Sequence, residues 1–204
     1  MKENAIEKEM KMKQCPDLSL RKEPKIRKEA HDFLERAVDF SVMDAECHFY
    51  IGMECYTLGC YEAAIAAFKM ALSIDPNHAL ALEAMMEACD SIDFYNEDVI
   101  ETCAEIISHN PKHAAAHAFL GKCYHEVGLR DKAIPVLKQA IAIDPKVPLP
   151  HLILGKIYAE LGDRRSAMEQ HKELGRSDKS LAESLLHFID SRSYLKSNST
   201  WITL

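Results

Sequence analysis

Glycine and proline are scarce in this 204-residue chain, at 7 and 8 residues, whereas a turn-rich β architecture needs more of both. Long apolar runs are missing too. Lys69 and Lys138 interrupt the best candidates well short of the roughly 20 residues that span a bilayer. The opening residues Met1-Lys2-Glu3-Asn4 alternate charge and do not start a secretory signal. There is no Gly-rich phosphate loop, no HExxH and no GxSxG elbow, so the chemistry those motifs carry finds no support. Seven cysteines (Cys15, Cys47, Cys55, Cys60, Cys89, Cys103, Cys123) form no CxxC pair. Their odd number without a secretory leader points to reduced thiols packed as small apolar residues. The expectation is a cytoplasmic protein that inserts in no membrane, holds no cofactor and is not an enzyme.

Apolar residues make up 48% of the chain, enough to bury a sizeable core and to argue against global disorder. The charge is uneven. The formal net charge is −7, yet residues 1–30 hold 9 basic and 6 acidic side chains, a net of +3, so the remainder carries −10. An acidic body repels phosphate backbones, which argues against nucleic acid and favours encounter with basic partners.

Internal periodicity decides the fold class. Pro76, Pro111 and Pro145 fall 35 and 34 residues apart. Gly52, Gly121 and Gly155 are spaced by 69 and 34, as are Gly59, Gly128 and Gly162, and Ala64, Ala133 and Ala167. Since 69 is 34 plus 35, independent columns share one period with a single inserted residue. In residues 45–78 a first helix carries Ile51, Gly52 and Cys55 on one face. Gly59 marks a turn, a second helix carries Ala64, Phe68 and Ala71, and Asp75-Pro76-Asn77 ends the unit. Apolar residues three and four apart make both helices amphipathic. Small residues at 52, 64 and 71 let antiparallel axes approach closely, and Pro76 cannot continue a helix but suits entry into the next.

These residues resemble the tetratricopeptide repeat family. Residues 114–147 match best, with Leu120-Gly121, Tyr124, Gly128, Ala133, Leu137, Ala140 and Pro145 where that signature has them. The next unit, 148–176, keeps Leu154-Gly155, Tyr158, Gly162 and Ala167, then departs at Gly175 and lacks the closing proline. Unit 79–112 is degenerate: Met86 stands in the glycine column, Val99 in the alanine column, and an extra residue falls within 90–96. Bulk at both close-approach sites predicts a wider helix separation there. Upstream, Ala30, Leu34 and Ala37 lie 34 residues before Ala64, Phe68 and Ala71, which reads as a half repeat over 26–44 within a solenoid of 24–191. A cap helix is expected over 178–191, starting near Ser180 with a Ser180–Glu183 capping box and using Leu181, Leu185, Phe188 and Ile189 against the last repeat. Residues 1–23 and 192–204 read as tails. The resemblance implies an all-α, right-handed superhelical solenoid of antiparallel helix pairs, whose first helices line a concave groove that holds a partner peptide or helix.

Carried over by register, the groove columns are Glu46, Phe49, Tyr50, Met53 and Tyr56 in the first unit, and Glu83, Glu87 and Asp90 in the second. They continue as Ala118, Lys122, His125 and Glu126, then Leu152, Lys156 and Glu160. This implies a surface graded from aromatic and Met-rich through acidic to mixed, suited to a basic protein or peptide partner with an apolar anchor. The competing reading is that Phe49 and Tyr50 pack against neighbouring helices and the charges are simply solvated. Phe49 and Met53 also occupy the columns where the family's chaperone-tail clamps use Lys and Asn, so that clamp is absent.

Histidines raise a metal reading, since His113 and His117 lie four apart near Cys123-Tyr124-His125. Structural zinc wants four ligands, however, and His48, His117 and His151 share one repeat column, which packing explains better than ligation. The functional expectation is therefore an adaptor or scaffold with no metal site. Self-assembly into a homo-oligomer is the alternative, and a metal- or thiol-responsive regulator using His113, His117, Cys123 and His125 a third.

Overall fold

The structure is a computed structural model that describes residues 44–199, with side chains to residue 192. The proposed half repeat before residue 44, the N-terminal tail, Trp201 and the terminal Ile202-Thr203-Leu204 lie outside the described residues. Within them the chain forms nine helices and no strand: α1 (Ala45–Thr57), α2 (Tyr61–Ile74), α3 (Ala79–Ile92), α4 (Glu97–His109), α5 (Ala114–Glu126), α6 (Arg130–Ile143), α7 (Pro148–Leu161), α8 (Arg164–Ser177) and α9 (Lys179–Ser199). Four hairpins, α1/α2 to α7/α8, stack in sequence, and α9 closes the row against α7 and α8. None of these helices is long and apolar enough to cross a membrane.

Each hairpin turns on a residue in the left-handed region. Gly59, Gly128 and Gly162 sit at φ 74°, 80° and 86°. In the second unit the same column holds Asp93, at φ 51°, a conformation that costs a side-chain-bearing residue about 1 kcal/mol. Between units, Asp75, Asn110 and Asp144 precede the prolines and accept from the backbone N–H two residues on, at 3.0, 3.3 and 2.9 Å. These Asx turns fix the reversal into the next helix. The proline carbonyls are used in turn: His117 Nε2 donates to Pro111 O at 3.0 Å and His151 Nε2 to Pro145 O at 3.2 Å. The histidine column is thus a packing column, with His48, His117 and His151 all buried.

The glycine column works as the spacing implied. A Cβ added at Gly121 would stand 2.5 Å from Cδ2 and Cγ of Leu137, and Gly52 is pressed as tightly by the Phe68 ring. At Gly155 the neighbour is different. His171 occupies the matching column of α8, and Leu185 of α9 fills the approach instead, 2.5 Å from the added Cβ. The cap helix has taken over a contact that the unit's own second helix makes elsewhere.

The degenerate unit departs as its sequence predicted. The backbones of α1/α2, α5/α6 and α7/α8 approach closely, while those of α3 and α4 stand apart. Met86 occupies the close-approach column, and its side chain holds the axes away. The extra residue lengthens the connection to four residues, 93–96, after which Asn96 caps α4 by accepting from Val99 N at 3.0 Å.

Two expectations at the C-terminus change. Asp178, not Ser180, caps α9, accepting from Leu181 N at 2.9 Å. The Asp178 carboxylate accepts from the orphan N–H three residues on, so the cap stands two residues ahead of the serine. Helix α9 also runs on to Ser199 and so takes up part of the expected 192–204 tail, because no Gly or Pro stops it. Its Leu185 and Ile189 are buried, while Glu183, His187 and Asp190 face solvent, as an end cap requires.

Candidate functional site: the inner face of the first helices

By repeat register the inner face is built from α1, α3, α5 and α7, with α9 continuing the row. On α1, Phe49 does not line it freely. The ring is 9% exposed and packs against Phe68 and His78 at centroid distances of 6.0 and 5.0 Å. Phe49 is therefore a core residue, drawn in because rings from α2 and the next turn converge on it. Ala118 is likewise buried. Met53 and Tyr56 are half-buried, Tyr56 edge-on to Tyr61 at 5.4 Å.

Tyr50 is the aromatic that remains in solvent, 54% exposed. Its hydroxyl hydrogen-bonds the Glu46 carboxylate one turn back, which raises the phenol above its ordinary pKa. Glu46 also meets His78 Nε2 at 3.2 Å.

Most of the remaining predicted charges are paired across repeats. Lys122 of α5 donates to Asp90 of α3, and Tyr95, from the α3–α4 connection, donates its hydroxyl to the same carboxylate. The Lys122 ammonium lies 5.7 Å from the Tyr95 ring centroid. Burial, then the Asp90 hydrogen bond, push the Tyr95 phenol far up. Glu160 of α7 accepts from Arg130 Nε at 2.9 Å and stands 4.0 Å from His125 Nε2. Burial holds the His125 imidazole below its usual pKa despite that carboxylate, so it is neutral at pH 7. Lys156 has a cation–π contact with Phe188 of α9, 6.0 Å from the centroid, and Arg192 lies 5.3 Å from the same ring. Leu152 is half-buried against the α7–α9 core.

Glu83 and Glu87 stand out from this pattern. Both are exposed, and neither carboxylate has a hydrogen-bond or ion-pair partner among the described residues. Glu126 is exposed too, on α5. Sequence reasoning missed Leu80. It is 57% exposed, three residues before Glu83 and on the same helical face, in the column Glu46 fills in the first unit. Its position in that column was the available signal.

The residues named for a metal- or thiol-responsive regulator are engaged elsewhere. His113 caps α5, its Nδ1 accepting from Ala116 N at 3.3 Å, and His117 serves the Pro111 carbonyl. Among the described residues no three His, Cys, Asp or Glu side chains converge. Burial pushes the Cys55 and Cys89 thiols up to about 12. The hydrogen bond with Cys103, then burial, drive Cys123 higher still. Thiols so strongly protonated are poor nucleophiles and poor ligands.

Residues 45–78 and 114–147 each match the sequence profile of the tetratricopeptide repeat. No curated protein matches the chain by sequence. Among solved structures, the tetratricopeptide repeat protein TTC0263 of Thermus thermophilus is similar at 23% identity, covering 72% of this chain and 82% of that one, with a TM-score of 0.58. MamA residues 41–end from Desulfovibrio magneticus RS-1 are 23% identical over 76% of this chain and 86% of that one, TM-score 0.55. A further MamA structure is 21% identical over 78% and 96%, TM-score 0.54. At these identities the likeness concerns the fold. Two of the four hairpins carry the tetratricopeptide repeat, and they stand in a stack of the same all-α solenoid architecture.

Proposed function

We propose that this protein is an adaptor whose concave face holds a partner segment bearing Lys or Arg beside an apolar side chain. The observation that carries the reading is the patch on α1 and α3. Glu83 and Glu87 lie exposed without partners among the described residues, on the helix that also carries Leu80 and on the same row of first helices as Tyr50, two large side chains each more than half exposed. Most other charges along the groove are neutralised by neighbours or set against a ring, Glu126 of α5 being a single further exposed carboxylate, so the pair on α3 is where a ligand gains most from opposite charge. An apolar anchor seated against Tyr50 and Leu80 contributes about 1.5–3 kcal/mol. Exposed ion pairs to Glu83 and Glu87 add about 0.2–1 kcal/mol each and chiefly set orientation and association rate. Lys156, His125 and Glu160 border the far end and are engaged by Phe188 and Arg130, so they shape the groove wall. The protein's role is positional, and no step of catalysis is assigned to it.

The test uses fluorescent dodecapeptides that pair two Lys or Arg with a Leu or Phe, measured by anisotropy against wild type, Tyr50→Ala/Leu80→Ala and Glu83→Lys/Glu87→Lys. Binding is expected to weaken at least tenfold in each double variant and to fall with added salt in wild type. Equal binding by wild type and both variants would move the interaction to another surface.

A further inference from the structure

We infer that the acidic patch has an occupant within the chain itself: the segment 18–25, Leu18-Ser19-Leu20-Arg21-Lys22-Glu23-Pro24-Lys25, folds back onto Glu83 and Glu87 and competes with outside partners. The inference rests on the groove reading above and names the ligand chemistry's first source.

Three observations carry it. Glu83 and Glu87 have no partner among the described residues, and Tyr50 and Leu80 are exposed, while Asp90 and Glu160 are already satisfied. Segment 18–25 offers the complement, with three cations against one acid and two leucines just ahead of them. Residues 1–15 do so less well, since four lysines are offset there by three glutamates and the charges alternate. Finally, the tether reaches. Eighteen residues separate Lys25 from Asp44, the cap of α1. They span about 27 Å if helical and about 60 Å if extended, whereas neighbouring helix axes lie roughly 10 Å apart.

The proposed contact places Arg21 and Lys22 against Glu83 and Glu87, and Leu18 or Leu20 against Leu80 and Tyr50. A short tether supplies an effective concentration of about 1 mM. A segment whose intrinsic Kd is about 100 μM then occupies the groove in roughly ten molecules of every eleven. An external ligand would bind about tenfold more weakly than to a groove left open.

The experiment uses the full chain. Probes are a fluorescein-labelled peptide of residues 16–28 and an unrelated Lys/Leu dodecapeptide. The proteins are wild type, Arg21→Glu/Lys22→Glu/Lys25→Glu, and that variant combined with Glu83→Gln/Glu87→Gln, each checked for helix content by circular dichroism. Both probes should bind the triple variant about tenfold more tightly than wild type, and the combined variant should lose the gain. These affinities should not change with protein concentration. Equal affinity for wild type and triple variant overturns the inference, as does a gain that survives in the combined variant. So does competition that disappears on dilution, which would mark a second copy as the source. If the unrelated probe binds through Glu83 and Glu87 with no difference between wild type and triple variant, the self-docking fails and the groove reading stands. If neither probe depends on those glutamates, both fail.

Discussion

Replacing Gly121 by alanine should destabilise the protein, even though alanine is the better helix former. Gly121 lies inside α5, where Gly→Ala ordinarily contributes about 1 kcal/mol of stability. Here the new methyl would stand 2.5 Å from two carbons of Leu137, whereas carbon atoms rest at about 3.5–4.0 Å. Leu137 has no room to yield. It is fully buried, in one cluster with Ala133, Ile153, Leu154 and Ile157. Moving the helices apart by about 1 Å costs roughly 1–3 kcal/mol of overpacking, and the expected balance is a loss of about 1–2 kcal/mol. Leu137→Ala alone leaves a cavity and should cost about 2–5 kcal/mol. In that background the sign reverses. The methyl added at position 121 then enters vacated space and the helix-propensity gain is retained, so Gly121→Ala should recover about 1 kcal/mol. Urea unfolding of the four proteins, followed by far-UV circular dichroism, closes this cycle with a coupling of about 2 kcal/mol. A Gly121→Ala protein more stable than wild type, or a double variant whose losses simply add, would show that the glycine column is not a steric requirement.

Asp93→Gly should stabilise by about 0.5–1 kcal/mol, since Asp93 holds φ 51° where glycine is unstrained; an unchanged urea midpoint would deny the strain. Pro135 lies within α6 and is exposed, so Pro135→Ala should raise the midpoint by restoring a helical N–H, a gain of about 1–3 kcal/mol. A fall would mean that the proline serves a contact. Burial lowers the pKa of both His113 and His125. Their unfolded forms therefore bind protons first, and the stability they contribute is whole above the unfolded value of about 6.5. It declines as pH falls from there towards the folded values. His113→Asn, which keeps a capping acceptor, should flatten that decline between pH 7 and pH 5, and an identical slope would exclude His113 as a contributor.

The groove was only partly legible in the sequence. Register assigned Tyr50, Glu83 and Glu87 to the inner columns, and they do lie exposed. It assigned Phe49 as well, and there it could not see the Phe68 and His78 rings that draw Phe49 into the core. It passed over Leu80, an apolar residue in a column that holds a carboxylate in the first unit. The cap of α9 shows the same limit at short range, where Ser180–Glu183 fitted a capping box but Asp178, two residues earlier, accepts from Leu181 N instead.

What the sequence determined by itself is the architecture. A 34-residue period written in glycine, alanine and proline specifies helix lengths, turn sites and close approaches, all of which depend on residues near one another along the chain or one repeat apart. The same columns foretold the parting of α3 from α4, since Met86 breaks the pattern in full view. Only the tertiary structure decided which charges stay available. Lys122 reaches Asp90 across 32 residues and Arg130 reaches Glu160 across 30. Whether such side chains meet depends on how far each hairpin rotates on the last, and that rotation is set by packing summed over many contacts, which no single column of residues encodes.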